Sequence, residues 1–276
     1  MSKKKISIIV AIVVVLAIIG GACWWWFGYE VPHREALASY ENAVSMVNSK
    51  NKKLDGSLAK LEKLIDSKDE TLNPQTKKDA SEVAKSAKKE RRAVGEQPKK
   101  TDELNRKASE LSKPLDYTAT IAKINKATTG VENGIKQFKQ VTNPSQDFVM
   151  ARLKEVPGIL NMEPVTEDND PNGNLNKVGG YTSTVYFESQ NVDQSDVYGN
   201  DLIGKGVEAG GAIETYKTNK DAAERDSYLG VFDGGVLSSG SHKVVGTVLI
   251  RTSDKLTATQ QNELTQAIID ALTRLE

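Results

Sequence analysis

Residues 6–27 form a run of 22 amino acids without a formal charge. At about 1.5 Å per helical residue the run reaches roughly 33 Å, the thickness of a hydrocarbon core. It has no polar face to turn toward water, so it is expected to be a span held in the lipid bilayer. Lys3, Lys4 and Lys5 precede it, and Arg34 is the only Lys or Arg in residues 28–49. By the positive-inside rule, residues 1–5 form a cytoplasmic tail and the C-terminal part lies outside the cell membrane of a single-pass protein.

The end of the run, "GGACWWWFGYE", places Trp24, Trp25 and Trp26 together. Indole rings favour the headgroup layer, where the ring stays in lipid and its N–H meets water, so these three are expected at the membrane interface. Ala22-Cys23 matches the end of a bacterial lipobox. However, Gly20 stands where a large aliphatic residue is usual, and aromatic rather than small polar residues follow. Signal-peptide cleavage after Ala22 is a second competitor, although the apolar run exceeds an ordinary signal core. The uncleaved anchor fits best. Cys23 is the only cysteine, so no intramolecular disulfide can form outside the membrane, and packing must stabilise that part.

A net charge of zero conceals a division. Residues 27–144 carry 23 basic and 17 acidic side chains, whereas 145–276 carry 11 and 20. Glycine and β-forming residues are concentrated in the second segment. The boundary is therefore expected at "TNPSQ", residues 142–146, between a stalk over 28–144 and an extracellular domain over 145–276.

In the stalk, Leu37, Tyr40, Val44, Val47, Leu54, Leu58, Leu61 and Ile65 follow heptad spacing, with Asn51 in one polar slot. Tyr117, Ile121, Ile124, Val131, Ile135 and Phe138 repeat the pattern. Between them runs a thinner stripe through Ala80, Ala84, Ala87, Leu104, Ala108 and Leu111, interrupted near Gly95 and Pro98. The expectation is a three-helix bundle over 32–66, 74–112 and 114–140, with an intermolecular coiled coil as the alternative. The oligomeric state stays open. Residues 75–113 carry 12 basic and 7 acidic groups. Outside the cell this excludes nucleic acid as a partner and leaves an anionic wall polymer, a surface protein or simple solvation of the helix.

The C-terminal domain reads as α+β, a mostly antiparallel sheet covered by helices. A helix capped by Ser145 ends before Pro157-Gly158. Strands follow at 159–165, in "GGYTSTVYFES" and in "AIETYKT", then a helix in "NKDAAERDSYLGVF", one strand in "HKVVGTVLIRTS" and a helix over 258–275 with Thr257 and Gln260 spaced for a capping box. The segments "EDNDPNGNLNKVGGYTSTVYF", "YKTNKDAAERDSYLGVFDG" and "GSHKVVGTVLIRTSDKLT", in that order, resemble the C-terminal domain of membrane-anchored surface proteins of Gram-positive bacteria. Some of these are labelled extracellular-matrix-binding. The resemblance covers 146–276 and implies surface display without an active site.

Chemical motifs are sparse. "GKGVEA", residues 204–209, has a dinucleotide-type glycine pattern, but a glycine pair and a strand follow where a helix is required. "GSH", residues 240–242, with Asp226 and Asp233 near, holds the residue types of a serine triad and reads better as a turn. With two histidines in the chain and no cysteine outside the membrane, zinc and redox chemistry lack ligands. "DNDPNGNL" matches the start of a calcium loop. Asp168, Asp170 and Asn172 stand at alternate positions, Gly173 allows the turn, and Asn174 offers its carbonyl. Gly179 occupies the place of the bidentate Glu, so any calcium would bind weakly; an Asx-rich turn is the competing reading. The expected function is a non-catalytic binding or structural domain displayed on a stalk. The alternative is a cell-envelope enzyme or its regulatory subunit.

Overall fold

The computed structural model describes residues 3–235 and 239–276. The chain divides into two compact units, 1–66 with 79–128, and 67–78 with 129–276. The turn at 142–146 lies inside the second. Met1 and Ser2 of the expected tail fall outside the described residues, and Lys3 opens the first helix.

In the first unit, α1 (Lys3–Trp25) continues through a π-helical turn (Trp26–Glu30) directly into α2 (Val31–Ile65). α1 is apolar all round, and the described part of this helix is long and apolar enough to cross a membrane, with none of its most apolar window buried. The π turn has a local cause. Pro32 has no N–H, and its ring would collide with the carbonyl of Gly28 four residues back. The Val31 N–H bonds instead to the Trp26 carbonyl, five residues back, which widens the turn without ending the helix.

α2 buries Ala36, Tyr40, Ala43, Val47, Asn51, Leu54, Leu58 and Leu61. Its first half packs against α4 (Thr101–Leu111), through Leu104, Ala108 and Leu111. The expected middle helix over 74–112 is two helices, α3 (Gln75–Glu90) and α4. Gly95 adopts φ +74°, and Pro98 cannot donate to a helical ladder, so an extended segment separates them. α5 (Thr118–Gln140) follows. The buried Asn51 is satisfied within the chain: its Nδ2 donates to the Arg92 carbonyl (2.9 Å) and its Oδ1 accepts from the Tyr117 hydroxyl (2.9 Å). That hydroxyl accepts from the Arg92 N–H, while the Arg92 guanidinium donates to the carbonyls of Leu111, Lys113 and Pro114 at the end of α4.

The second unit holds a five-stranded antiparallel sheet in the order β1 (Ile159–Pro164), β2 (Tyr181–Ser189), β3 (Gly210–Tyr216), β5 (Val248–Thr252) and β4 (Ser241–Val245). The run expected as one strand over 242–253 is the β4–β5 hairpin, because Gly246 at φ +62° turns the chain. The turn is tight as well as left-handed, since a Cβ on Gly246 would stand 2.4 Å from the Val141 carbonyl oxygen. Interior β5 is buried throughout; β4 is one edge of the sheet and β1 the other.

One face of the sheet, with Val185, Phe187, Ile213, Val248 and Ile250, packs on α6 (Gln146–Leu153) and α9 (Ala258–Thr273). Ser145 caps α6, and Thr257 with Gln260 forms the capping box of α9, as their spacing predicts. The last part of α5 belongs to this second unit: Val141, just after it, is fully buried in the same core, and the side chains of Gln137 and Gln140 donate to carbonyls of Leu272, Thr273 and Arg274. The opposite face carries Tyr186, Ala212, Tyr216 and Leu249 beneath α7 (Leu202–Lys205) and α8 (Asn219–Gly230).

Candidate functional site

The chemistry of the second unit is concentrated on the face beneath α8. Alternation along β3 puts Glu214 and Tyr216 on that side, and the β3–β5 register pairs Ala212 with Arg251, which brings Arg251 to the same face. α8, capped by the Thr218 hydroxyl, supplies Arg225 from above. Glu214 is 1% exposed. Its Oε1 accepts from Arg251 Nη1 (2.9 Å), and its Oε2 accepts from the Tyr216 hydroxyl (2.6 Å) and Arg225 Nε (3.2 Å). Arg251 Nη2 donates to Ser239 Oγ (2.8 Å).

Burial alone would favour the neutral acid, but the Arg251 and Arg225 guanidiniums and the Tyr216 hydroxyl outweigh it and hold the Glu214 carboxyl below its ordinary range. Burial, reinforced by Glu214, pushes the Tyr216 and Tyr186 phenols up. One carboxylate, itself shielded from water, thus faces two guanidiniums.

His242, paired with Arg251 across the β4–β5 register, extends this polar belt to the sheet edge. Its Nδ1 lies 2.7 Å from Asp226 Oδ1 and its Nε2 lies 3.3 Å from both Asp233 carboxylate oxygens. With an acceptor at each ring nitrogen the imidazole is clamped. The Ser241 hydroxyl bonds Thr252 instead (2.7 Å), and Ser239 is engaged by Arg251, so the serine-triad residue types near "GSH" do not assemble into a nucleophile–base pair. "GKGVEA" forms a helical turn and a 3₁₀ turn (Gly206–Ala209), without the strand–loop–helix that a dinucleotide site needs.

In the loop read either as a weak calcium site or as an Asx-rich turn, Asp170 is bonded within the loop. Asp170 Oδ1 accepts from the Asn172 N–H (3.0 Å) and the Tyr181 hydroxyl, and its Oδ2 accepts from the Leu175 N–H (2.8 Å). Partial burial works against the Asp170 charge, and these hydrogen bonds, led by Tyr181, overcome it and draw its carboxyl down. Burial first and then Asp170 push the Tyr181 phenol up. Asn172 Nδ2 reaches the Tyr181 hydroxyl at 3.5 Å, while Asp168 and Asn174 are exposed. Among the described residues no group of three or more His, Cys, Asp or Glu side chains is arranged to hold a metal ion.

Where the apolar helix ends, Trp24 is the most exposed of the three indoles, at 80%. Trp25 stacks on Tyr29 and Tyr29 on His33, with centroids 6.4 and 5.7 Å apart. The Arg34 guanidinium lies 5.1 Å from the Trp26 ring centre. Cys23 is a free, exposed thiol.

The Glu214 group was not anticipated from the sequence, although a signal for it exists. "AIETY" and "VLIRT" each put one charge inside an otherwise apolar or β-branched strand. An acid and a base in two such strands satisfy each other when the strands are neighbours. Comparison with protein-family models, with curated proteins and with solved structures finds no match for this chain.

Proposed function

We propose that this protein is a single-pass membrane-anchored surface protein in which a helical stalk carries a non-catalytic α+β domain that binds a partner or builds the envelope. The observation that carries the reading is the continuous helix. An apolar segment with no buried face passes through three tryptophans and, without a break, becomes the amphipathic α2. A helix that is apolar on every side is stable in lipid, and one with a single apolar stripe is stable in water against other helices. From Gly28 to Ile65 the helix reaches about 57 Å beyond the belt. The bundling of α2 with its neighbours is read as the stalk, and the intrachain satisfaction of Asn51 favours packing within one chain over a coiled coil between chains.

Orientation rests on Lys3, Lys4 and Lys5, which favour a cytoplasmic N-terminus. The resemblance to Gram-positive surface proteins points the same way. The non-catalytic reading is supported by the way the polar groups of the sheet face are directed at one another, as in structural ion-pair networks. In the basic segment over 75–113, Arg91 is bidentate on Asp55, Lys88 pairs with Glu62, and Arg106 and Lys107 share Glu110. These pairs favour an internal, architectural role for much of that charge over recruitment of an anionic polymer.

The test is the accessibility of single cysteines in a Cys23→Ser background. Asn200→Cys, at an exposed position of the C-terminal domain, should react with a membrane-impermeant maleimide on intact wall-stripped cells. Ser2→Cys should react only after lysis. The reverse pattern would overturn the topology, and recovery of the domain in the medium would show cleavage of the anchor.

A further inference from the structure

A groove of about 610 Å³ lies beside α6 in the second unit, bordered by Lys136, Phe148, Arg152, Glu155, Leu275 and Glu276. Arg152 is 5% exposed. Its guanidinium rests 5.1 Å from the centre of the Phe148 ring, which fixes its plane. Nη2 donates to the Arg274 carbonyl (3.2 Å) and pairs with Glu276 Oε1 (3.1 Å). Nη1 is buried without a hydrogen-bond partner, and the nearest carboxylate oxygen, Glu155 Oε2, is 3.9 Å away. That oxygen is itself held by Arg274.

A guanidinium presents a fork that binds a carboxylate through two parallel N–H groups. Here half of the fork is used, and the residue using it, Glu276, has a side chain 83% exposed. Lys136, exposed on the wall formed by α5, makes no ion pair among the described residues. The lining is balanced in charge, Lys136 and Arg152 against Glu155 and Glu276, but Glu155 is engaged by Arg274, so displacing the exposed Glu276 side chain would leave Arg152 and Lys136 to a ligand carboxylate. Its apolar surface comes from Phe148, Ala151 and Leu275.

We infer that this groove is a binding site for a carboxylate next to an apolar group, the chemistry of an acidic peptide segment, and that Leu275-Glu276 occupies it as a resident competitor. A ligand carboxylate displaces the Glu276 side chain, takes both Nη1 and Nη2 of Arg152, and is steered by Lys136. The inference deepens the binding reading above by naming a ligand class. It does not depend on the orientation of the anchor.

The experiment uses the full chain in detergent micelles, titrated calorimetrically with acetyl-Leu-Glu-amide, acetyl-Leu-Gln-amide and inorganic phosphate. Glu276→Gln should tighten binding of the Glu peptide about fivefold, and Lys136→Gln should weaken it about threefold, the scale of one partly screened charge interaction. The Gln peptide should not bind. Arg152→Gln should abolish binding, and because its buried position can also compromise folding, the two exposed substitutions decide the matter. The site is overturned if Glu276→Gln shows no heat at about 20 mM peptide, well above the millimolar range of a weak site. It is also overturned if the Gln peptide binds equally or Glu276→Gln leaves affinity unchanged, and preference for phosphate would overturn the carboxylate assignment. None of these outcomes alters the cysteine-accessibility result, so failure of the site and failure of the topology remain distinguishable.

Discussion

Replacing Arg251 by Met removes the shorter of the two guanidinium contacts to Glu214 while keeping an unbranched side chain in the strand. Glu214 then keeps Tyr216 and Arg225, but Arg225 is the more exposed cation, 23% against 10% for the Arg251 side chain. Removing one partner of a buried pair costs about 3–5 kcal/mol. Because Arg225 still offsets part of the charge, Arg251→Met is expected at the low end, about 3 kcal/mol, and Arg225→Met at about 1–2 kcal/mol. The double change Glu214→Leu with Arg251→Met removes the Glu214–Arg251 pair and leaves Arg225, 23% exposed, to turn toward water, so it should cost no more than about 2 kcal/mol and the cycle should show coupling of at least about 1 kcal/mol. The three tryptophans of the chain stand at positions 24–26, at the end of the apolar helix, so their fluorescence does not report on the sheet. Native-state hydrogen exchange of β3 and β5 against urea reports the opening of these strands. The folded pKa of Glu214 is lowered, so its contribution is complete above the unfolded carboxyl range, about pH 4.3, and is lost as pH falls through the folded value. That of Tyr216 is raised, so its contribution is complete below about pH 10 and is lost as pH rises. The acid loss of the urea midpoint should be smaller in the double variant. An Arg251→Met cost below about 0.5 kcal/mol, or strictly additive single changes, would refute the coupled network.

Asn51→Ala leaves the Tyr117 hydroxyl and the Arg92 carbonyl without their partner and should cost about 1–3 kcal/mol in the urea unfolding of the helical unit, and Tyr117→Phe, which strands Asn51 Oδ1 and the Arg92 N–H, should cost a similar amount; a melt that strengthens with protein concentration would instead indicate a coil between chains. Gly246→Ala should destabilise the sheet by at least about 2 kcal/mol, since it combines strain at positive φ with a collision at Val141, and hydrogen exchange of β4 should reveal it first. Asp170→Ala should lower stability by about 1–2 kcal/mol by stripping three donors of their acceptor, whereas exposed Asp168→Ala should be close to neutral. Melting in millimolar calcium, magnesium or chelator is expected to coincide; a calcium-selective rise abolished by both Asp substitutions would make the loop a metal site.

Local spacing decided a good deal of this protein. The uncharged run, the α2 seam, the caps at Ser145 and Thr257, and the strands at 181–189 and 210–216 were legible because each depends on side-chain periodicity or a single capping bond over a few residues. Two further local signals act against longer elements. Gly95 and Pro98 break the middle helix, and Gly246 splits an apolar run into a hairpin. Other features belong to tertiary structure alone. Asn51 was legible as a polar slot, but only packing brings Arg92 and Tyr117 to it. Asp170 had the sequence spacing of a calcium ligand, and the approach of Tyr181 and two backbone N–H groups gave it other partners. Glu214, Arg251 and Arg225 lie on three separate elements, and strand order and the placing of α8 bring them together. The charge of each is written in the sequence, but the low-dielectric surroundings that couple them exist only once the sheet is assembled.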